Sequence, residues 1–150
     1  MQDENENIQL IDDDLTTVDT SMPLLQPGLY DLKIVKAALG DTKDHTAKQL
    51  KLELATTQPA VSEKGEDLSP GVRVFHRIMT TPKGEITMEQ IKRRLGALVQ
   101  AAGMPRGTGY SNLDQWIKTL EGKLVACKVS INAGDEQYDP SNEIKSFIIR

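Results

Sequence analysis

Residues 72–102 read VRVFHRIMTTPKGEITMEQIKRRLGALVQAA, and within them the apolar period changes from two residues to between three and four. Up to Thr80, alternation places Val72, Val74 and Ile78 on one side with His76, and Arg73, Phe75, Arg77 and Met79 on the other, the pattern of a half-buried strand. From Met88 to Ala102, Ile91, Leu95, Leu98, Val99 and Ala102 recur at helical spacing. Thr87 and Gln90 stand at capping-box spacing, and Gly103 followed by Pro105 supplies a stop. A strand therefore hands over to a long helix here, and the remaining elements arrange themselves around that junction.

Before it, GLYDLKIVKAAL alternates over Leu29–Leu39, with Tyr30, Leu32 and Ile34 on one side and Asp31, Lys33 and Val35 on the other. KQLKLELATT, from Lys48, sets Leu50, Leu52 and Leu54 opposite Lys51 and Glu53. Residues 58–71, QPAVSEKGEDLSPG, are rich in turn formers and charge and read as an exposed connection. After it, the Gly-rich loop GMPRGTGYS leads to a shorter helix with Asn112 as its cap, Leu113, Trp116, Ile117 and Leu120 as its apolar stripe, and Gly122 as its end. KLVACKVSINA then groups Val125, Cys127, Val129 and Ile131 on one face, and EIKSFIIR, residues 143–150, supplies a fifth strand.

Three strands, a helical insert and two strands exclude a repeated strand–helix alternation and hence a doubly wound parallel sheet. The order predicts a mainly β fold: a five-stranded antiparallel, OB-fold-like barrel, closed or partly open, with one long and one short helix between strands three and four. The alternative is an open antiparallel α+β sandwich with the helix across one face.

The chain has 150 residues, one domain's length, with 38% hydrophobic and 27% charged residues, in or near the soluble globular range. No run approaches the roughly 18 apolar residues of a spanning helix, and MQDENENIQLIDDD lacks the basic and apolar parts of a secretory signal. The single cysteine, Cys127, cannot form an internal disulfide, which fits a reducing compartment.

The net charge of −4 hides an uneven distribution. Residues 1–22 carry seven acids and no Lys or Arg, whereas the other 15 acids and 18 bases give residues 23–150 a formal +3. The acidic part reads as a flexible tail, either a solubiliser or a strip that competes for a basic groove or docks a basic partner. The folded domain is expected to span 23–150, opening at Pro23 and Pro27-Gly28.

Enzymatic chemistry is not expected, and neither is a cofactor. His45 and His76 have no ligands at metal spacing nearby, and Cys127 lies on an apolar strand face with no base beside it. The glycines of residues 103–109 do not match a phosphate-binding loop. Asp12-Asp13-Asp14 in a tail lacks a fixed geometry for a metal.

The chemistry points instead to strand three. If its valine face is core, the other presents Arg73-Phe75-Arg77 to solvent, where a base can stack on the ring and guanidinium groups meet phosphates. Alternatively the long helix covers this face and buries Phe75. Lys43 and Lys48 beside the first loop, Lys51 on strand two and Lys128 on strand four add bases where an OB barrel uses them, and Tyr138 and Tyr30 are further stacking candidates. Lys92-Arg93-Arg94 read as the solvent face of the long helix.

PGLYDLKIVKA, KQLKLELA, VFHRI, LGALVQAAGM, LEGKLVACKVSI and NEIKSFI, in this order, resemble small phage-encoded OB-fold single-stranded-DNA-binding proteins, some of them known only as domains of unknown function. The resemblance covers roughly residues 23–149 and rests on element order and on pieces such as Leu120-Glu121-Gly122-Lys123 and Asn142-Glu143-Ile144-Lys145. It implies coating of single-stranded DNA in phage replication or recombination, in the host cytoplasm, with a replication or recombination protein recruited through an acidic tail. Many such proteins carry that tail at the C-terminus, whereas here the acid is N-terminal. The competing expectation is a protein-interaction or virion-associated β-barrel whose acidic tail docks a basic partner.

Overall fold

The computed structural model describes residues 23–105, 112–136 and 139–149. Its organising element is β1 (Gly28–Asp41), a strand of 14 residues shared by both halves of one sheet. β2 (Lys48–Thr56), β5 (Arg73–Met79), β6 (Leu124–Asn132) and β7 (Ser141–Ile148) complete it, and a short hairpin of β3 (Ala60–Val61) and β4 (Asp67–Leu68) stands apart. Strand order is β5-β2-β1-β6-β7, antiparallel throughout. β6 pairs with the first part of β1, Gly28 to Lys33, and β2 with Leu32 to Asp41.

A bulge at Val35 separates the two parts of β1, where the register slips between Ile34 and Lys36. The extra residue inverts the alternation, so that Leu32, Ile34 and then Ala37 all point inward. β1 has no β6 partner beyond Lys33, and the end of the helical insert satisfies it instead. Ile34 N–H donates to the Lys123 carbonyl at 2.9 Å and Gly122 N–H to the Ile34 carbonyl at 2.7 Å. Further along, the Ala37 N–H donates to Glu121 Oε2, and Lys118 Nζ donates to the Ala37 carbonyl.

Leucines 50, 52 and 54 are buried on the inner face as their period predicts, each worth about 1.5–3 kcal/mol of burial. α1 (Met88–Ala101) begins in the expected capping box, Thr87 with Gln90, and packs Ile91, Leu98 and Val99 into the core while touching β5, β6 and β7. Gly103, at φ +73°, ends the helical region. α2 (Leu113–Ile117) continues as a 3-10 turn through Leu120 and buries Trp116, Ile117 and Leu120; Asn112 stands at its N-cap without a side-chain capping bond.

Three expectations are corrected. The sheet is not a closed barrel: hydrogen bonding ends at β5 and β7, and these edges meet through side chains, the His76 ring edge-on to Phe147 at 5.5 Å. The connection 58–71 is not wholly exposed. Residues 24–26 run extended beside it, and the Glu63 N–H donates to the Leu24 carbonyl and the Gln26 N–H to the Val61 carbonyl, with Ser62 buried against them. Finally, the last strand begins at Ser141 rather than Glu143, because Ser141 and Asn142 already pair with Asn132 and Ile131.

Candidate nucleic-acid interface

β5 is an edge strand, and its alternation holds. Val74 and Ile78 are buried and His76 is half-buried, whereas Arg73 and Arg77 are exposed and Phe75 keeps 63% of its surface in solvent. α1 packs on the inner face, with His76, and so leaves Phe75 uncovered. An exposed phenylalanine forfeits roughly 1.5–3 kcal/mol that burial would give. Its position between two guanidinium groups is therefore a surface feature with little packing return.

Neighbouring strands extend the face through their register. Glu53 stands opposite Phe75 and Lys51 opposite Arg77; on the other side of β2, Lys36 is paired with Glu53 and Ala38 with Lys51. Glu53 Oε2 lies 3.8 Å from Arg73 Nε. A β-carbon at Gly40 would stand 3.0 Å from Lys51 Cε, so the lysine stem rests close on the β1 backbone there. Lys33 and Arg73 flank Ala55 from opposite sides and line one shallow groove with Glu121. Adjacent strands lie about 4.8 Å apart, so Lys36, Lys51, Arg73 and Arg77 form one basic field around Phe75, interrupted by Glu53.

The remaining nominated residues divide. Lys48 is paired with Asp41, whose carboxyl is held below its usual range by the Lys48 hydrogen bond and then by His45. Loop 42–47 is braced from within and from Lys83: Asp44 accepts from Thr42, Thr46 and Lys83, the lysine being the main cause of its lowered pKa. Lys43 is exposed in that loop. Lys128 is exposed opposite Leu29, in the outward series that also holds Lys33, but in the β1–β6 half of the sheet, three strands from Phe75 on β5. Tyr30 lies on the inner side, packed against the core, with its hydroxyl donating to the Gln26 carbonyl at 2.6 Å and its pKa raised by burial. Tyr138, the acidic segment 1–22 and Asp12–Asp14 lie outside the described residues.

Sequence reasoning passed over Lys33 and Lys36. Lys33 is in the outward series of β1 already, but Lys36 reaches that face only because of the bulge. The groups set aside for catalysis are where the alternation places them. Cys127 is fully buried, its pKa pushed up to about 12 by burial, and His76 has its pKa lowered by burial and then by Arg94, with Glu143 opposing. Among the described residues there is no cluster of three or more His, Cys, Asp or Glu that could hold a metal. No helix among them is long and apolar enough to cross a membrane.

Fold and face together define a mainly β chain, built on one five-stranded antiparallel sheet with a few short helices. It belongs to the family described as "Protein of unknown function (DUF669)", whose model matches residues 12–148. No curated protein matches the chain.

Proposed function

We propose that the protein binds single-stranded DNA with low sequence preference on the outer face of β5 and β2. The observation that carries this reading is Phe75, 63% exposed on an edge strand with Arg73 and Arg77 two residues to either side. Alternate residues of a strand are about 6.6 Å apart, close to the spacing of bases in a stretched single strand. A base stacks on the ring while the guanidinium groups meet the flanking phosphates. Lys36 and Lys51 widen the basic track. The strand order, with the helices inserted between the third and fourth long strands, supports reading the sheet as an OB-like arrangement left open between β5 and β7, and OB folds bind oligonucleotides on the face that would correspond to β2 and β5. On the resemblance to phage proteins, the complex would protect or present single strands during replication or recombination in the host cytoplasm.

The test is a fluorescence-anisotropy titration with oligo-dT at two salt concentrations. Binding that weakens steeply with salt is expected, since released counterions drive it. Absence of binding at low salt ends this reading, and co-purification of a protein indifferent to nucleic acid would replace it with a protein-docking surface.

A further inference from the structure

β5 and β7 face each other unpaired, and α1 lies beside the gap. Between these three elements is a cleft of about 390 Å³, lined by Arg77 of β5, Arg93 and Arg94 of α1, Lys145 of β7, and the edge-to-face pair His76 and Phe147. Two carboxylates are near: Glu143 lies 3.0 Å from Lys145, and Glu89 lies 3.5 Å from Arg93 in a well-exposed pair. Arg77 and Arg94 have no carboxylate partner among the described residues. Like charges drawn around a concave, partly apolar opening repel one another, and this one keeps two guanidinium groups uncompensated. An anion that offers a pair of oxygens to a guanidinium fork relieves that repulsion, and a phosphodiester, with its two non-bridging oxygens, is such a group.

We propose that this cleft takes a phosphate of the nucleic-acid backbone, so that a strand stacked on Phe75 continues over Arg77 toward α1. The inference rests on the DNA-binding reading above. Arg77 supplies the continuity, because it belongs both to the outward series of β5 and to the cleft lining. It also gives Arg94 a role beyond that of a solvated helix face: its side chain lines the opening, and its charge acts on His76.

Arg94→Ala in the full chain is the probe, since Arg94 is exposed and outside the Phe75 face; an unchanged thermal melt establishes that the variant folds. Two oligo-dT lengths are titrated, roughly 4 and 16 nucleotides, the bounds of what one such fold occupies. Arg94→Ala is expected to weaken the longer oligonucleotide about tenfold at low salt, to lower its salt slope by about 0.7 for the lost phosphate, and to leave the shorter one unchanged. The His76 ring resonances of the wild type are expected to shift with the longer oligonucleotide. If Phe75→Ala loses binding while Arg94→Ala keeps both affinity and slope, the cleft proposal is overturned and the DNA reading survives. If the wild type binds neither length, the DNA reading fails, and inorganic pyrophosphate decides the cleft: a His76 shift abolished by Arg94→Ala retains a phosphate site, and no shift removes it.

Discussion

Asn142 holds both backbone groups of Leu25. Its Oδ1 accepts from the Leu25 N–H at 2.8 Å, and its Nδ2 donates to the Leu25 carbonyl at 3.0 Å, with a longer bond to the Ser130 carbonyl. Leu25 is fully buried, so one side chain of β7 does for this segment what a partner strand would otherwise do. Asn142→Ala leaves a buried N–H and a carbonyl unmet and is expected to cost about 2 kcal/mol. Urea denaturation should show a lower midpoint with an unchanged slope. Asn142→Asp keeps the acceptor but loses the donor and should not restore the wild-type midpoint at neutral pH.

Phe75 separates stability from binding. Being mostly exposed, Phe75→Ala should change stability by no more than about 0.5 kcal/mol, yet weaken oligo-dT by about 1–3 kcal/mol. A variant that melts normally and binds normally would show that the ring carries no base.

Glu53 is the carboxylate inside the basic field, 3.8 Å from Arg73 and opposite Phe75. Glu53→Gln should tighten oligo-dT about threefold at low salt, with the gain vanishing as salt screens it. The lost ion pair is partly exposed and should cost under about 1 kcal/mol in a thermal melt. Weaker binding in this variant would mean that Glu53 positions Arg73 for the ligand rather than competing for it.

Pro23 and Leu24 line the same apolar cleft as Arg73 and Phe75. The seven carboxylates of residues 1–22 are joined through the chain to Pro23, and a covalent connection raises the effective concentration of a competing group at a nearby site. Deleting residues 1–22 should therefore tighten DNA binding at low salt and have little effect at high salt. Equal affinities at both salts would assign those acids a different task.

Cys127 predicts a pH dependence of stability. Its thiol ionises near 9.0 when unfolded and at about 12 when folded, because burial opposes the thiolate. Between those values the folded chain binds more protons than the unfolded one, so the contribution is complete below pH 9 and is lost as pH rises toward 12. Guanidinium midpoints across this window should fall more steeply for the wild type than for Cys127→Ala. Iodoacetamide at pH 8 should label Cys127 only after unfolding.

Much of this architecture was legible in the chain. The leucine alternation of β2, the Arg-Phe-Arg series of β5 and the Thr87–Gln90 box are local patterns, and local physics decides them. Whether α1 covered Phe75 was not local: it depended on which side of the sheet the helix packs. The bulge at Val35, the docking of residues 24–26 on residues 61–63, and the gap between β5 and β7 depend on pairings between distant residues, which periodicity does not encode. Tyr30 was nominated for stacking although its own series, with Leu32 and Ile34, already assigned it to the core side. Lys36 escaped notice because only a register slip turns it outward.

The shared strand β1 also divides the molecule by the order in which it can be assembled. β1 and β2 are joined by residues 42–47, whereas β1 must wait about 80 residues for β6, a difference of about 2 kcal/mol in loop-closure entropy. The β1–β2–β5 meander is therefore the part that closes early, and β6 and β7 join a surface already formed. Arg73, Phe75 and Arg77 belong to the early part. The cleft beside α1 comes into being only when β7, the last strand, arrives, so a nascent chain acquires its stacking platform before its second anion contact.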